Sequence, residues 1–221
     1  MARGIVIGGI ESTYTNAQAL ADLGEEIVMF YTRSARTPGW EGVAPIDESR
    51  FPFAARVPRT VVEGSINEHV PAMRALDPDV IYSLGWQQIY SRELLALAPV
   101  VGIHESLLPM GAGAVPLANA ILHDLPETGC TLFWVDDGVD TGPIIGQLRL
   151  PNDPRTATST ELYRESMECG ADLLRMFVPH INTGRAPAIP QDHSRRLVFP
   201  KVDWDAWPAD KVQRARTDPY A

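Results

Sequence analysis

The feature that most constrains this chain is its N-terminal stretch, where two short apolar runs bracket a helical segment. "GIVIGG" (4–9) ends in paired glycines, "TNAQALADLG" (15–24) has helical periodicity closed by Gly24, and "EIVMFY" (26–31) is again apolar. Strand, glycine turn, helix, strand is the order of a parallel βαβ unit, because parallel strands need a crossover and a helix fills it. The expectation is an α/β fold: a Rossmann-like, mostly parallel twisted sheet flanked by helices on both faces.

The alternation continues downstream. Strands are expected over 79–85, 100–104, 130–135 and 142–150, and helices over 65–76, 91–98 and 115–123. Thr158 and Glu161 form a capping box that opens a long helix to about residue 180. The Pro/Gly-broken stretch 37–58 is expected to be a loop covering one edge of the sheet. From Arg185 the chain turns Pro-rich. The division is one domain over 1–184 and an irregular tail over 185–221, which packs on that domain or leads to a second one.

Charge narrows the partners. With 19 basic and 28 acidic residues the formal charge is -9, which disfavours a general polyanion binder and makes nucleic acid a poor partner. Two cysteines, Cys130 and Cys169, lack metal-ligand spacing and make no disulfide framework, so a cytoplasmic setting is expected and no metal. "GIVIGG" is too short for a signal h-region or a membrane span, so no membrane partner is expected.

In open α/β sheets ligands sit beyond the carboxyl ends of strands. Three loops follow strands and carry polar groups: "SLGWQQIY" (83–90), "GIHESLLP" (102–109) and "VDDGVDTG" (135–142). His104 ends an apolar strand and serves either as a satisfied strand-end imidazole or as a catalytic group. Asp140 stands before Thr-Gly, a common turn. Asp136 and Asp137 either hold a cation or form a solvated turn.

Taken together, "GIHESLLP" and "TGCTLFWVDDGVDTGPII" resemble the core of the folate-dependent formyltransferases. That family places Asn-x-His before a Ser-Leu-Leu-Pro turn, and an Asp about three dozen residues later. The resemblance is strongest over about 80–147. The tail "VDWDAWPADKVQRARTDPY" is similar to the segment after the core in methionyl-tRNA and aminoarabinose formyltransferases. Trp204 and Trp207 in it are expected to pack on the main domain or to offer a stacking surface.

The resemblance implies formyl transfer from N10-formyltetrahydrofolate to a primary amine of a small molecule, such as a nucleotide-linked amino sugar or a specialised metabolite. It implies that protonated His104 stabilises the formyl oxygen, that Asp140 orients His104 and relays the amine proton, and that Thr131 orients water. Gln88, Ile89, Tyr90 and Leu95 would line the pterin pocket, with Asp136, Asp137, Gly138 and Val139 closing it from the other side. Gly102 and Ser106 would face the amine; Glu105, which stands where the family usually has Pro or Ala, either binds a cationic amine or is a solvated turn residue. A homodimer is compatible with the resemblance.

Two departures stand out. Gly102 replaces the family Asn, so a donor to the formyl oxygen is missing. After Pro109, Met110 to Gly113 replace basic and aromatic residues, which predicts a flexible, uncharged loop. Tyr14 and Thr15 precede Asn16 where a glycine-rich phosphate turn is expected, and Glu11 would repel phosphate, so glycinamide ribonucleotide is a poor acceptor. Hydrolysis of the folate, or catalytically idle folate binding, are the alternatives.

Overall fold

The computed structural model describes residues 2–34, 36–37 and 46–216. Within the stretch 37–58, residues 38–45 therefore lie outside the described residues, as do 217–221 of the tail. β1 (Arg3–Ile7) is apolar on both faces, which commits it to the middle of a sheet. Val6 packs on one side with Tyr14 and Leu20, while Ile5 and Ile7 pack on the other with Val62 and Ile66.

The chain then runs α1 (Glu11–Asp22), β2 (Glu26–Arg33), β3 (Arg59–Val62), α2 (Val70–Ala75), β4 (Val80–Leu84), α3 (Arg92–Leu95) and β5 (Val100–His104). It continues through β6 (Met110–Gly113), α4 (Pro116–Leu122), β7 (Glu127–Trp134), β8 (Ile144–Pro151), α5 (Ser159–Ile181), β9 (Leu197–Phe199) and α6 (Ala209–Ala215). Seven strands form one sheet in the order β3-β2-β1-β4-β5-β7-β8. Pairing is parallel from β3 to β5 and antiparallel at β5–β7 and β7–β8. α1 and α5 cover one face through Leu20, Leu173 and Leu174; Met73 and Leu94 help cover the other. The expected Rossmann-like sheet is present. Because strand order reverses at β1–β4, ligand space opens at the carboxyl ends of these strands.

Several boundaries differ from the sequence expectation. α1 begins at Glu11 rather than Thr15, since Thr13 Oγ1 accepts from the Ile10 amide at 3.2 Å and so nucleates the turn early. The segment 65–76 is split: Ser65 and Glu68 cap a 3-10 turn, Ile66–His69, and Pro71 then sits in the first turn of α2. β3 had no separate expectation. It follows Pro58 as a short edge strand beside β2.

The tail is more ordered than its composition suggests. β9 pairs in parallel with β6, and Ala215 of α6 is buried with Leu117 and Leu162. Trp204 and Trp207 pack against that cluster. No helix among the described residues is long and apolar enough to cross a membrane. Among those residues no group of three or more His, Cys, Asp or Glu could hold a metal ion.

Candidate active site

β5 delivers the imidazole. Residues alternate along the strand, so Val100, Gly102 and His104 share one face while Val101 packs into the core behind. His104 Nε2 donates to the Gly111 carbonyl at 2.8 Å, and its Nδ1 lies 3.8 Å from Asp140 Oδ2. Asp140 Oδ2 accepts from the Gly113 amide at 2.8 Å. β6 is thus a strut between the two groups: one glycine anchors the ring and another anchors the carboxylate.

This strand replaces the flexible loop expected after Pro109. Gly113 adopts φ +98, and a Cβ there would lie 2.4 Å from the Phe199 carbonyl of β9. Glycine permits both the backbone turn and the close approach. Glycine at position 113 is thus a packing requirement.

The Asp140 turn is held from both sides. Asp136 Oδ1 accepts from the Gly138 amide at 3.1 Å and from Thr141 Oγ1 at 2.6 Å. Asp140 itself has φ +52, a conformation Asp tolerates better than most residues. From the tail, Gln191 Nε2 donates to the Asp140 and Gly142 carbonyls at 2.9 and 2.7 Å. Arg196 Nη2 donates to the Val139 carbonyl at 2.6 Å. Neither Gln191 nor Arg196 was legible as a site residue, because no spacing links the tail to this turn.

These groups border a cavity of about 700 Å³, within the usual ~300–1,000 Å³ of small-molecule sites. Gln88, Ile89, Tyr90, Asp136, Gly138 and Val139 line it, as do Gly102, His104, Glu105 and Asp140. Gln88 is pinned: its Oε1 accepts from the Ile66 amide at 2.8 Å and its Nε2 donates to the Gly64 carbonyl at 3.0 Å. Ile89 is 60% exposed and so is free to meet a ligand.

Four expected site residues lie outside the lining. Thr131 is fully buried; its hydroxyl donates to the Ser106 carbonyl at 2.7 Å and accepts from the Leu108 amide at 3.1 Å. Ser106 Oγ donates to the Met110 carbonyl at 3.0 Å. Both side chains shape the turn after His104. Leu95 packs with the apolar cluster around Tyr90 and Leu94, and Asp137 pairs with Arg92 at 3.1 Å. Ser12 and Asn16 of α1, Ser83 of β4, and Lys201 and Trp204 of the tail also line the cavity and had no site expectation beyond the stacking role considered for Trp204.

Gly102 has a steric cause. A Cβ on it would lie 2.8 Å from Val135 Cγ2 and 2.9 Å from Phe133 Cε1. The Phe133 ring fills the space that a side chain at 102 would need.

Comparison with known proteins shows the family and the fold. The profile of the formyl transferase family matches residues 10–176. A methionyl-tRNA formyltransferase of Symbiobacterium thermophilum is 31% identical over 219 residues, covering 96% of this chain and 65% of its own length. The chain therefore spans just under two thirds of that relative. The N-formyltransferase of Helicobacter canadensis, crystallised with folinic acid and dTDP-3-aminofucose, superposes with a TM-score of 0.74 at 17% identity, covering 97% of this chain and 79% of that one. Glycinamide ribonucleotide transformylase 1 of Symbiobacterium toebii gives 0.70 at 21% identity, covering 87% and 95%. These structural likenesses concern the fold.

Proposed function

The chain belongs to the formyl transferase family, and from that premise we propose that it transfers a formyl group from N10-formyltetrahydrofolate to a primary amine of a small molecule. The observation that carries the reading is the convergence of His104 and Asp140 on one cavity, each fixed by a separate glycine of β6. The folate is a substrate here; it supplies an activated formyl group.

The cavity suits such a donor. Ile89, Phe133, Val135 and Val139 offer apolar faces to a flat heteroaromatic ring, and the pinned loop at Gln88 offers backbone polar groups beside them. Asn16, Lys201 and Trp204 also line the cavity and are left for the acceptor.

The chemistry divides among the residues as follows. With Nε2 committed to the Gly111 carbonyl, Nδ1 is the ring position that faces the cavity carboxylate. A proton there faces Asp140 across 3.8 Å, beyond hydrogen-bond length, and so is left to stabilise negative charge developing on the formyl oxygen. Asp140, held by the Gly113 amide, takes up the proton that the amine loses as it attacks. Thr131 and Ser106 act one step back, by fixing the turn that follows His104. The unit over 1–184 supplies the reacting pair, and Gln191 and Arg196 of the tail brace the Asp140 turn.

A second acceptor has one observation in its favour. The 31% identical relative is named for methionyl-tRNA, so an aminoacyl group on tRNA is the alternative. The net charge of -9 favours the small molecule, since tRNA phosphates need basic neutralisation. Incubation with N10-formyltetrahydrofolate and either a panel of amino sugars and amines or charged initiator tRNA separates them. Tetrahydrofolate release that depends on a small amine supports the proposal. Release with tRNA alone transfers it to the second acceptor, and release with water alone makes the protein a hydrolase.

A further inference from the structure

Ser83 of β4 is the register partner of Gly102 in β5, and Gly102 in turn faces Phe133 in β7. Paired residues in neighbouring strands project to the same side. His104, two positions beyond Gly102, projects there as well. Across this row the Gly102 position has no side chain, and Phe133 and Val135 around it are apolar. Among Ser83, Gly102 and Phe133, the Ser83 hydroxyl is the polar side-chain group.

Ser83 Oγ and Tyr90 OH lie 2.6 Å apart, both residues are 8% exposed, and both line the cavity. Two hydroxyls bring two protons, and the bond between them uses one. Among the described residues no acceptor is recorded for the other. Buried donors are normally satisfied, so a donor left over at the wall of a ligand cavity marks the place of a ligand acceptor.

We infer that the Ser83–Tyr90 hydroxyl pair donates a hydrogen bond to the formyl oxygen of the donor as negative charge develops there. The inference rests on the formyl-transfer reading. When the amine nitrogen bonds to the formyl carbon, the carbonyl π pair moves onto oxygen. His104 meets that charge from the end of β5 and the hydroxyl pair meets it from β4. The pair returns to the C=O bond as the carbon–N10 bond breaks; the amine proton, passed through Asp140, ends on N10. No proton leaves the hydroxyl pair. Burial pushes the Tyr90 phenol well above the ordinary tyrosine range, so it stays a neutral donor at physiological pH.

The test uses the full chain, wild type and the variants Ser83→Ala, Tyr90→Phe and the double variant. The probe is 10-formyl-5,8-dideazafolate, a stable donor analogue, carrying a carbon-13 formyl group. Isotope-edited infrared spectroscopy reads the carbonyl stretch of the bound probe, and titration reads its affinity. The expected result is probe affinity lower by about tenfold or less, as for the loss of one hydrogen bond, a carbonyl stretch that moves to higher frequency in the double variant, and kcat lower by about 10²–10³-fold, the usual loss for one oxyanion donor. An unchanged stretch and kcat in the double variant overturns the inference and leaves the formyl-transfer reading intact. Loss of probe binding in both single variants also overturns it, since the pair would then serve folding or ground-state binding. Failure of the wild type to bind the probe overturns both.

Discussion

Asp140 Oδ2 faces His104 Nδ1 across 3.8 Å while accepting a hydrogen bond from the Gly113 amide at 2.8 Å. The carboxylate thus has one oxygen fixed by backbone and directed at the imidazole. Asp140→Asn keeps an acceptor for Gly113 but removes the charge and the proton acceptor. We expect kcat to fall by about 10²–10⁴-fold, the range for a general acid–base group, with the melting temperature nearly unchanged. Steady-state kinetics beside thermal unfolding checks this; an Asn variant with wild-type kcat would remove Asp140 from the mechanism.

Gly102 and Phe133 are sterically matched across β5 and β7. Gly102→Asn alone should destabilise the fold by about 1–3 kcal/mol through overpacking. Phe133→Ala alone leaves a cavity. The double variant should lose less than the sum of the two, because each change relieves the other. Urea unfolding of the four proteins gives the coupling, and strict additivity would mean that Phe133 is not what excludes a side chain at 102.

The tail acts on the site through backbone contacts. Gln191→Ala would leave the buried Gly142 carbonyl without its side-chain donor and the Asp140 carbonyl with only the 3.4 Å contact from Arg196 Nη1, at a cost of about 1–3 kcal/mol for a buried unsatisfied group. The expected signature is a lower kcat with the KM for the folate less affected, since the turn carrying Asp140 loosens. A Gln191→Glu variant, which accepts instead of donating, should be no better than alanine. Equal kcat in all three proteins would show that the Asp140 turn holds its position unaided.

Alkaline pH should unfold the protein through its buried phenols. Burial raises Tyr82 and Tyr90 well above the ordinary range, and in Tyr82 the Glu25 carboxylate adds to the effect. Above about pH 10, where unfolded tyrosine ionises, the unfolded chain binds fewer protons than the folded one. Stability then falls with rising pH, toward a limiting slope of about 2.7 kcal/mol per unit for the two groups together. Tyr90→Phe should lessen that slope without abolishing it, since burial raises Tyr82, Tyr14 and Tyr31 as well, as measured by urea midpoints between pH 9 and pH 11.

The parallel half of the sheet and the nearness of His104 to Asp140 were legible because both rest on local signals: "GIVIGG" and "EIVMFY" are apolar runs, and the turn motifs around His104 and Asp140 keep a recognisable spacing. What escaped depends on contacts between distant segments. β6 looked like a loop because two of its four residues are glycine, and only the strand Leu197–Phe199 explains them. Ser83 is an unremarkable strand residue until the register sets it beside Gly102. Thr131 was expected among the reacting groups on resemblance, yet full burial and its bonds to Ser106 and Leu108 place its hydroxyl under the turn. Gln191 and Arg196 belong to a stretch whose composition suggested irregularity, and their role follows from where their donors end.

Transfer of an isotopically labelled formyl group tests the central claim most directly. Wild type and His104→Ala would be given N10-formyltetrahydrofolate labelled in the formyl carbon, together with a panel of amino sugars and amines, and products read by mass spectrometry. The account predicts label on an amine nitrogen with the wild type, none with His104→Ala, and donor affinity retained in both. Label recovered only as formate, or amine formylation that survives in the His104→Ala protein, would contradict it.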